Sequence, residues 1–250
     1  WKRLVAISIG MGALALGWYF VGQPAFRDVP PSTSTAAANT PSAPAPQEEA
    51  KRDERSIAVL PFVNMSRDPA NEYFSDGLAE TTLDMLAKVR DLKVIARTSS
   101  FAFKGKNSDA RDIGRALDAA HLLEGSVQQS GKMVRITAQL IRTSDGTHLW
   151  SQQYDRQLTD VFQIQDEIAA EVVKALQLVL PVAERERLTD KRTENVAAYQ
   201  QYLRGNALLP KRRVSEMREA LAHFERAIEL DPGYAGAYAA ASMTLGLLEY

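Results

Sequence analysis

Three histidines, one carboxylate-rich helix and two short serine runs are the residues of this 250-residue chain whose types could do chemistry. His121, His148 and His223 fall at a strand start, in a strand and in a helix. No two stand at metal-ligand spacing, so they read as structural and no metal is expected. Asp166, Glu167 and Glu171 could be drawn as an acid pair, but they occupy the first half of an amphipathic helix. Carboxylates there complement the helix dipole and solvate the outer face. Ser75-Asp76-Gly77 and Ser99-Ser100 could supply a nucleophile only with a base in reach. No histidine is placed to serve, and the first run precedes a helix as a cap would. Gly105-Lys106 shares a dipeptide with phosphate-binding loops and lacks the earlier glycine such loops need. Trp150 and Tyr154 could line a ligand groove or pack beneath a covering helix. Lys211-Arg212-Arg213 is a solvated loop or, alternatively, a contact for an acidic peptide. No set of nucleophile, base and orienting group can be assembled, so the reading is non-enzymatic, with no catalytic residue and no cofactor.

The bulk composition narrows the classes further. A formal net charge of -1 leaves no basic footprint for nucleic acid, and the absence of cysteine excludes thiolate catalysis, disulfides, Cys-type zinc sites and an acylated anchor cysteine. With 45% hydrophobic and 24% charged residues the chain can hold one or two ordinary cores. It begins at Trp1 and stops at Tyr250 inside a helical pattern, and so reads as a fragment.

Four segments would carry these residues. Residues 1–22 read as a transmembrane helix: from Leu4 to Gly22 there is no charge, and about 19 residues at about 1.5 Å each give roughly 28 Å, near the hydrocarbon thickness. Lys2 and Arg3 precede that run and Trp18 and Tyr19 lie near its far end, which implies a cytoplasmic N-terminus with residues 23–250 outside the cytoplasm. A cleaved signal peptide is the competing reading, against which the apolar run is long. Residues 23–55, rich in Pro, Ala, Ser and Thr, read as a disordered tether. From Ser56 the pattern is that of a folded α/β sandwich domain. A strand over 57–62 ends at Pro61, and a helix follows Asp68-Pro69. A strand spans 92–96, and Ser108 caps a helix. Three strands then form a meander, over 123–129, 132–142 and 147–154, turning at Ser130-Gly131 and Asp145-Gly146. A helix over 160–180 completes the order β-α-β-α-β-β-β-α across residues 56–180.

The strings Ile57-Ala58-Val59-Leu60-Pro61-Phe62, Tyr73-Phe74-Ser75-Asp76-Gly77-Leu78, Arg97-Thr98-Ser99-Ser100-Phe101, Leu123-Glu124-Gly125-Ser126-Val127, His148-Leu149-Trp150-Ser151 and Gln165-Asp166-Glu167-Ile168 resemble the TolB amino-terminal and FlgO-like domains. Such domains are fused to tetratricopeptide (TPR) arrays in membrane-anchored bacterial transcriptional regulators and class III adenylate cyclases. The resemblance implies an α/β fold behind a membrane helix, with an output domain on the cytoplasmic side upstream of Trp1.

Residues 181–250 read as the start of that all-α TPR array. Ala220, Phe224, Ala227 and Pro232 have the spacing of a second repeat helix and its closing proline, and a first helix near 197–209 fits if the turn at Pro210 is about three residues longer than usual. Ala220, Ala227 and Ala241 should face neighbouring helices. Tyr199, Arg204 and Tyr238 are the candidate contacts for a protein or peptide partner. The function expected is a periplasmic sensory or interaction segment of a single-pass inner-membrane signalling protein. The alternative is a membrane-anchored assembly scaffold with no output domain.

Overall fold

Ser56–Val59 (β1) is buried along its whole length because both faces of the strand are covered by helices. In the computed structural model residues 52–178, 180–181 and 193–249 are described. The expected span at 4–22 lies outside them, and no helix among the described residues is long and apolar enough to cross a membrane. Most of the expected tether also lies outside, but its last residues are fixed to the fold. Arg52 Nη1 donates to Thr143 Oγ1 at 3.3 Å, and the Lys93 amide donates to the Arg55 carbonyl at 2.8 Å.

After β1 come Val63–Asn64 (β2), Glu72–Leu86 (α1), Lys93–Val94 (β3), Arg97–Ser100 (α2) and Ala110–Leu117 (α3). His121–Ser130 (β4), Met133–Arg142 (β5) and Thr147–Gln157 (β6) form the meander, and Val161–Ala175 (α4) follows. The strand order is β3-β1-β4-β5-β6, with β2 also on β4. β1 runs parallel to β3 and β4, whereas β4, β5 and β6 are antiparallel. This is the expected element order, with differences that have local causes. Pro61 interrupts the first strand without ending it: Leu60 N still donates to Leu123 O at 2.9 Å and pairing resumes at Val63. The cap of α3 is Asp109, whose carboxylate accepts from Arg111 N, rather than the neighbouring Ser108. The last helix stops at Ala175, short of 180, because Gln177 turns left-handed at φ 54°.

The two faces of the sheet are unequal. Ile57, Val59, Leu123, Val127, Ile136 and Leu140 meet Phe74, Leu78, Ile164, Ile168 and Val172 of α1 and α4 in the main core. On the opposite face Ala58, Leu60 and Leu122 meet Ile113 of α3 in a smaller one. The single crossing helix leaves the rest of that face polar.

Three further α-helices follow among the described residues: Val196–Leu208 (α5), Val214–Leu230 (α6) and Ala235–Leu248 (α7). Ala220 and Ala227 are fully buried and Ala241 is 8% exposed, at contacts among these helices. The main core does not close at residue 180. It includes Tyr199 and Leu203 of α5.

Candidate functional site

Asn195 starts α5 and fixes its direction. Its side chain accepts from Ala197 N and Ala198 N at 3.0 and 3.1 Å and donates through Nδ2 to Leu230 O at 2.8 Å, which ties the beginning of α5 to the end of α6. One face of α5 then lies on the α/β layer. Tyr199, 1% exposed, sets its ring edge-on to Phe162 with centroids 5.1 Å apart. Its hydroxyl lies 2.9 Å from Thr81 Oγ1 and accepts from Gln165 Nε2 at 2.8 Å. Gln165 and Thr81 are themselves buried, so one satisfied polar network joins α1, α4 and α5. One turn later Leu203 lies on Gly77, where a Cβ would meet Leu203 Cδ2 at 2.5 Å. A side chain at position 77 would have to displace Leu203. On the other flank of α5 Tyr202 packs against Phe224 and Tyr234 at 5.9 and 5.1 Å.

The three residues expected to meet a partner therefore have different fates. Tyr199 is a core residue, because α5 packs onto the α/β layer instead of lining an open groove. Arg204 is half-buried, its guanidinium 4.7 Å above the ring of Tyr73. Burial pushes the Tyr73 hydroxyl pKa up and Arg204 opposes it. Tyr238, on α7, is 49% exposed and open to contact. The junction residues Gly77, Thr81, Gln165 and Leu203 were not singled out from sequence. Gln165 carried the one available signal, a polar side chain between Ile164 and Ile168 on an apolar stripe.

Two of the histidines considered for chemistry have hydrogen-bond partners. His121 Nδ1 lies 3.3 Å from Ser56 O and His223 Nδ1 2.7 Å from Gln201 Oε1. Burial lowers the pKa of both. Ser75 and Ser100 are buried, and their hydroxyls make no hydrogen bond among the described residues. Arg97 pairs with Glu80 at 3.0 Å, and Lys104 with Glu72 at 2.7 Å and with Asp76. Burial raises the carboxyl pKa of Asp76 and of Glu80, against the pull of Lys104 and Arg97 respectively. Arg156 makes a two-pronged pair with Glu167 at 2.9 and 3.0 Å. Among the described residues no group of three His, Cys, Asp or Glu could hold a metal ion.

Among the described residues, open volumes lie on both faces of the α/β layer. One, of about 660 Å³, runs between β6 and α4 and is lined by Trp150, Gln152 and Tyr154 opposite Glu167, Ala170 and Glu171. Burial, then the Glu167 and Glu171 carboxylates, push the Tyr154 hydroxyl pKa up to about 12. The second, of about 380 Å³, lies on the α3 face, between the chain leaving β1 and the loop before α3.

No protein-family model matches the chain. A protein of Rhizobium meliloti (strain 1021) named "Putative adenylate cyclase 3" is 44% identical over 206 residues, which are 82% of this chain and 34% of that protein. The chain thus spans about a third of that relative's length. Among solved structures, the LpoB C-terminal domain from Salmonella enterica is similar at 20% identity and a TM-score of 0.35, over 42% of this chain and 83% of that one. TolB from Acinetobacter baumannii is similar at 16% and 0.36, over 48% and 28%. Lipoprotein GNA1162 from Neisseria meningitidis is similar at 16% and 0.37, over 48% and 98%.

Proposed function

We propose that this chain is the non-catalytic sensory and interaction segment of a single-pass inner-membrane signalling protein of the adenylate cyclase or transcriptional regulator type. Residues 1–22 cross the membrane, 23–51 tether the fold, and the α/β layer and a TPR array beginning at α5 face the periplasm and bind a protein or ligand. The likeness to the Rhizobium meliloti protein supports the cyclase context. The observation that carries the relay is the junction. Tyr199 and Leu203 belong to the α/β core, and Tyr202 of the same helix packs both against that core and against Phe224 and Tyr234, so a shift of the array is felt by the sheet.

The test uses the full-length protein. Its cyclic nucleotide or reporter output should respond to deletion of residues 193–249, and Leu203→Ala should uncouple output from the array. Regulation unchanged in Leu203→Ala, with hydrogen exchange showing α5 detached, would overturn the relay. A phosphatase that works only outside the cytoplasm should be active when fused after Tyr250. Activity instead from a reporter confined to the cytoplasm would overturn the orientation.

A further inference from the structure

We propose that the cleft at the carboxyl end of β1 binds a small zwitterion with an apolar side chain, a free amino acid or a dipeptide. Topology opens the cleft. With β1 between β3 and β4, the chain leaves β1 through α1 on one face and returns from β3 to β4 through α3 on the opposite face. Loops leaving parallel strands in opposite directions part at this switch point, and ligands of open α/β sheets lie in the crevice so formed. The volume there, about 380 Å³, is bounded by Leu60 and Pro61 after β1 and by Phe103 to Ser108 after β3. It falls within the range of about 300–1,000 Å³ of small-molecule sites.

The lining supplies the chemistry. Its floor is two cross-strand pairs, Glu124 with Gln139 and Ser126 with Thr137, on the sheet face that α3 leaves uncovered. All four are half-buried, and none of these side chains makes a hydrogen bond or ion pair to another described residue. Across from them Lys106 stands 5.2 Å from the ring centre of Phe103 and pairs with no described carboxylate, unlike Lys104, which Glu72 and Asp76 occupy. A negative floor and a positive rim that do not neutralise each other match a ligand carrying both charges. Leu60, Phe103, Ile113 and the 57% exposed Val63 offer the apolar wall for its side chain.

This deepens the sensory reading and rests on it for its biological purpose, whereas binding can be measured without any output. The probes are L-leucine and L-leucyl-L-leucine, with L-leucinamide and N-acetyl-L-leucine as single-charge controls. Saturation-transfer NMR and titration calorimetry on the full chain should detect both zwitterions. Glu124→Gln should weaken L-leucine and L-leucinamide about tenfold and leave N-acetyl-L-leucine unchanged. Lys106→Gln should weaken L-leucine and N-acetyl-L-leucine by a similar factor and spare L-leucinamide. Failure of both zwitterions to bind, or binding that ignores both substitutions while melts show the variants folded, overturns the site. A negative output or orientation assay with this charge-matched pattern intact would instead sink the signalling reading alone.

Discussion

Tyr199 is the side chain through which two structural layers hold each other, and its energetics follow from burial. Tyr199→Phe keeps the ring against Phe162 but leaves Gln165 Nε2 without its acceptor and Thr81 Oγ1 without its hydroxyl partner. Leaving buried donors unpaired should cost about 1–3 kcal/mol, read as a lower urea midpoint with unchanged slope. A stability equal to wild type would mean that water replaces the hydroxyl. The buried histidines make a different test. Burial lowers the pKa of His121 and of His223 below 6.5, so in the acid direction the unfolded chain takes up protons that the fold refuses. Stability contributed by the neutral rings is therefore present above about pH 6.5 and lost as pH falls through the window below it. Asp76 and Glu80, whose pKa values are raised, act in the opposite sense at the lower pH where carboxylates protonate. Melting temperatures should thus fall between pH 7.5 and 5.5, and His121→Gln should flatten the decline. A wild-type curve that is already flat over that range would contradict the burial of these rings.

At the scale of elements, the meander was legible because its period of two is unbroken. Val134, Ile136, Ala138 and Leu140 alternate, and each lies in the main core. Ile136→Asp places a carboxylate where Val127 and Tyr154 flank the strand, and should abolish the cooperative melt. A normal melt would require the strand to slip by one residue. What was not legible depends on geometry that no period encodes. β2 hides behind Pro61, whose ring forbids one ladder bond without forbidding the strand beyond it. The core role of α5 hides because Tyr199 and Leu203 look like any amphipathic helix face until Gly77 reveals where they dock. Leu203→Ala should cost about 2–5 kcal/mol, the range for deleting a buried leucine side chain. Gly77→Ala should cost about 1–3 kcal/mol by overpacking, since its methyl points at a well-seated Leu203.

The candidate site shows the same division at the scale of the molecule. Glu124, Gly125 and Ser126 were visible as a string, but only the β3-β1-β4 order places them beneath the loop that carries Lys106. The burial of Tyr199 was not legible because its spacing is that of any repeat helix, and only the packing of α5 on the α/β layer within one unit encloses it. That unity is itself testable. In a chain trimmed to residues 50–250 Trp150 is the sole tryptophan, packed against the main core, while far-UV dichroism also reports α5, α6 and α7. If Tyr199 and Leu203 bind the array into the α/β core, fluorescence and dichroism should give one coincident transition. A chain ending at Leu180 lacks both side chains, uncovers the apolar floor around Gly77, Leu78 and Phe162, and should melt lower and less cooperatively. Two resolved transitions in the longer chain, with the shorter one melting as steeply as the first of them, would show that the array folds independently and that the junction transmits nothing.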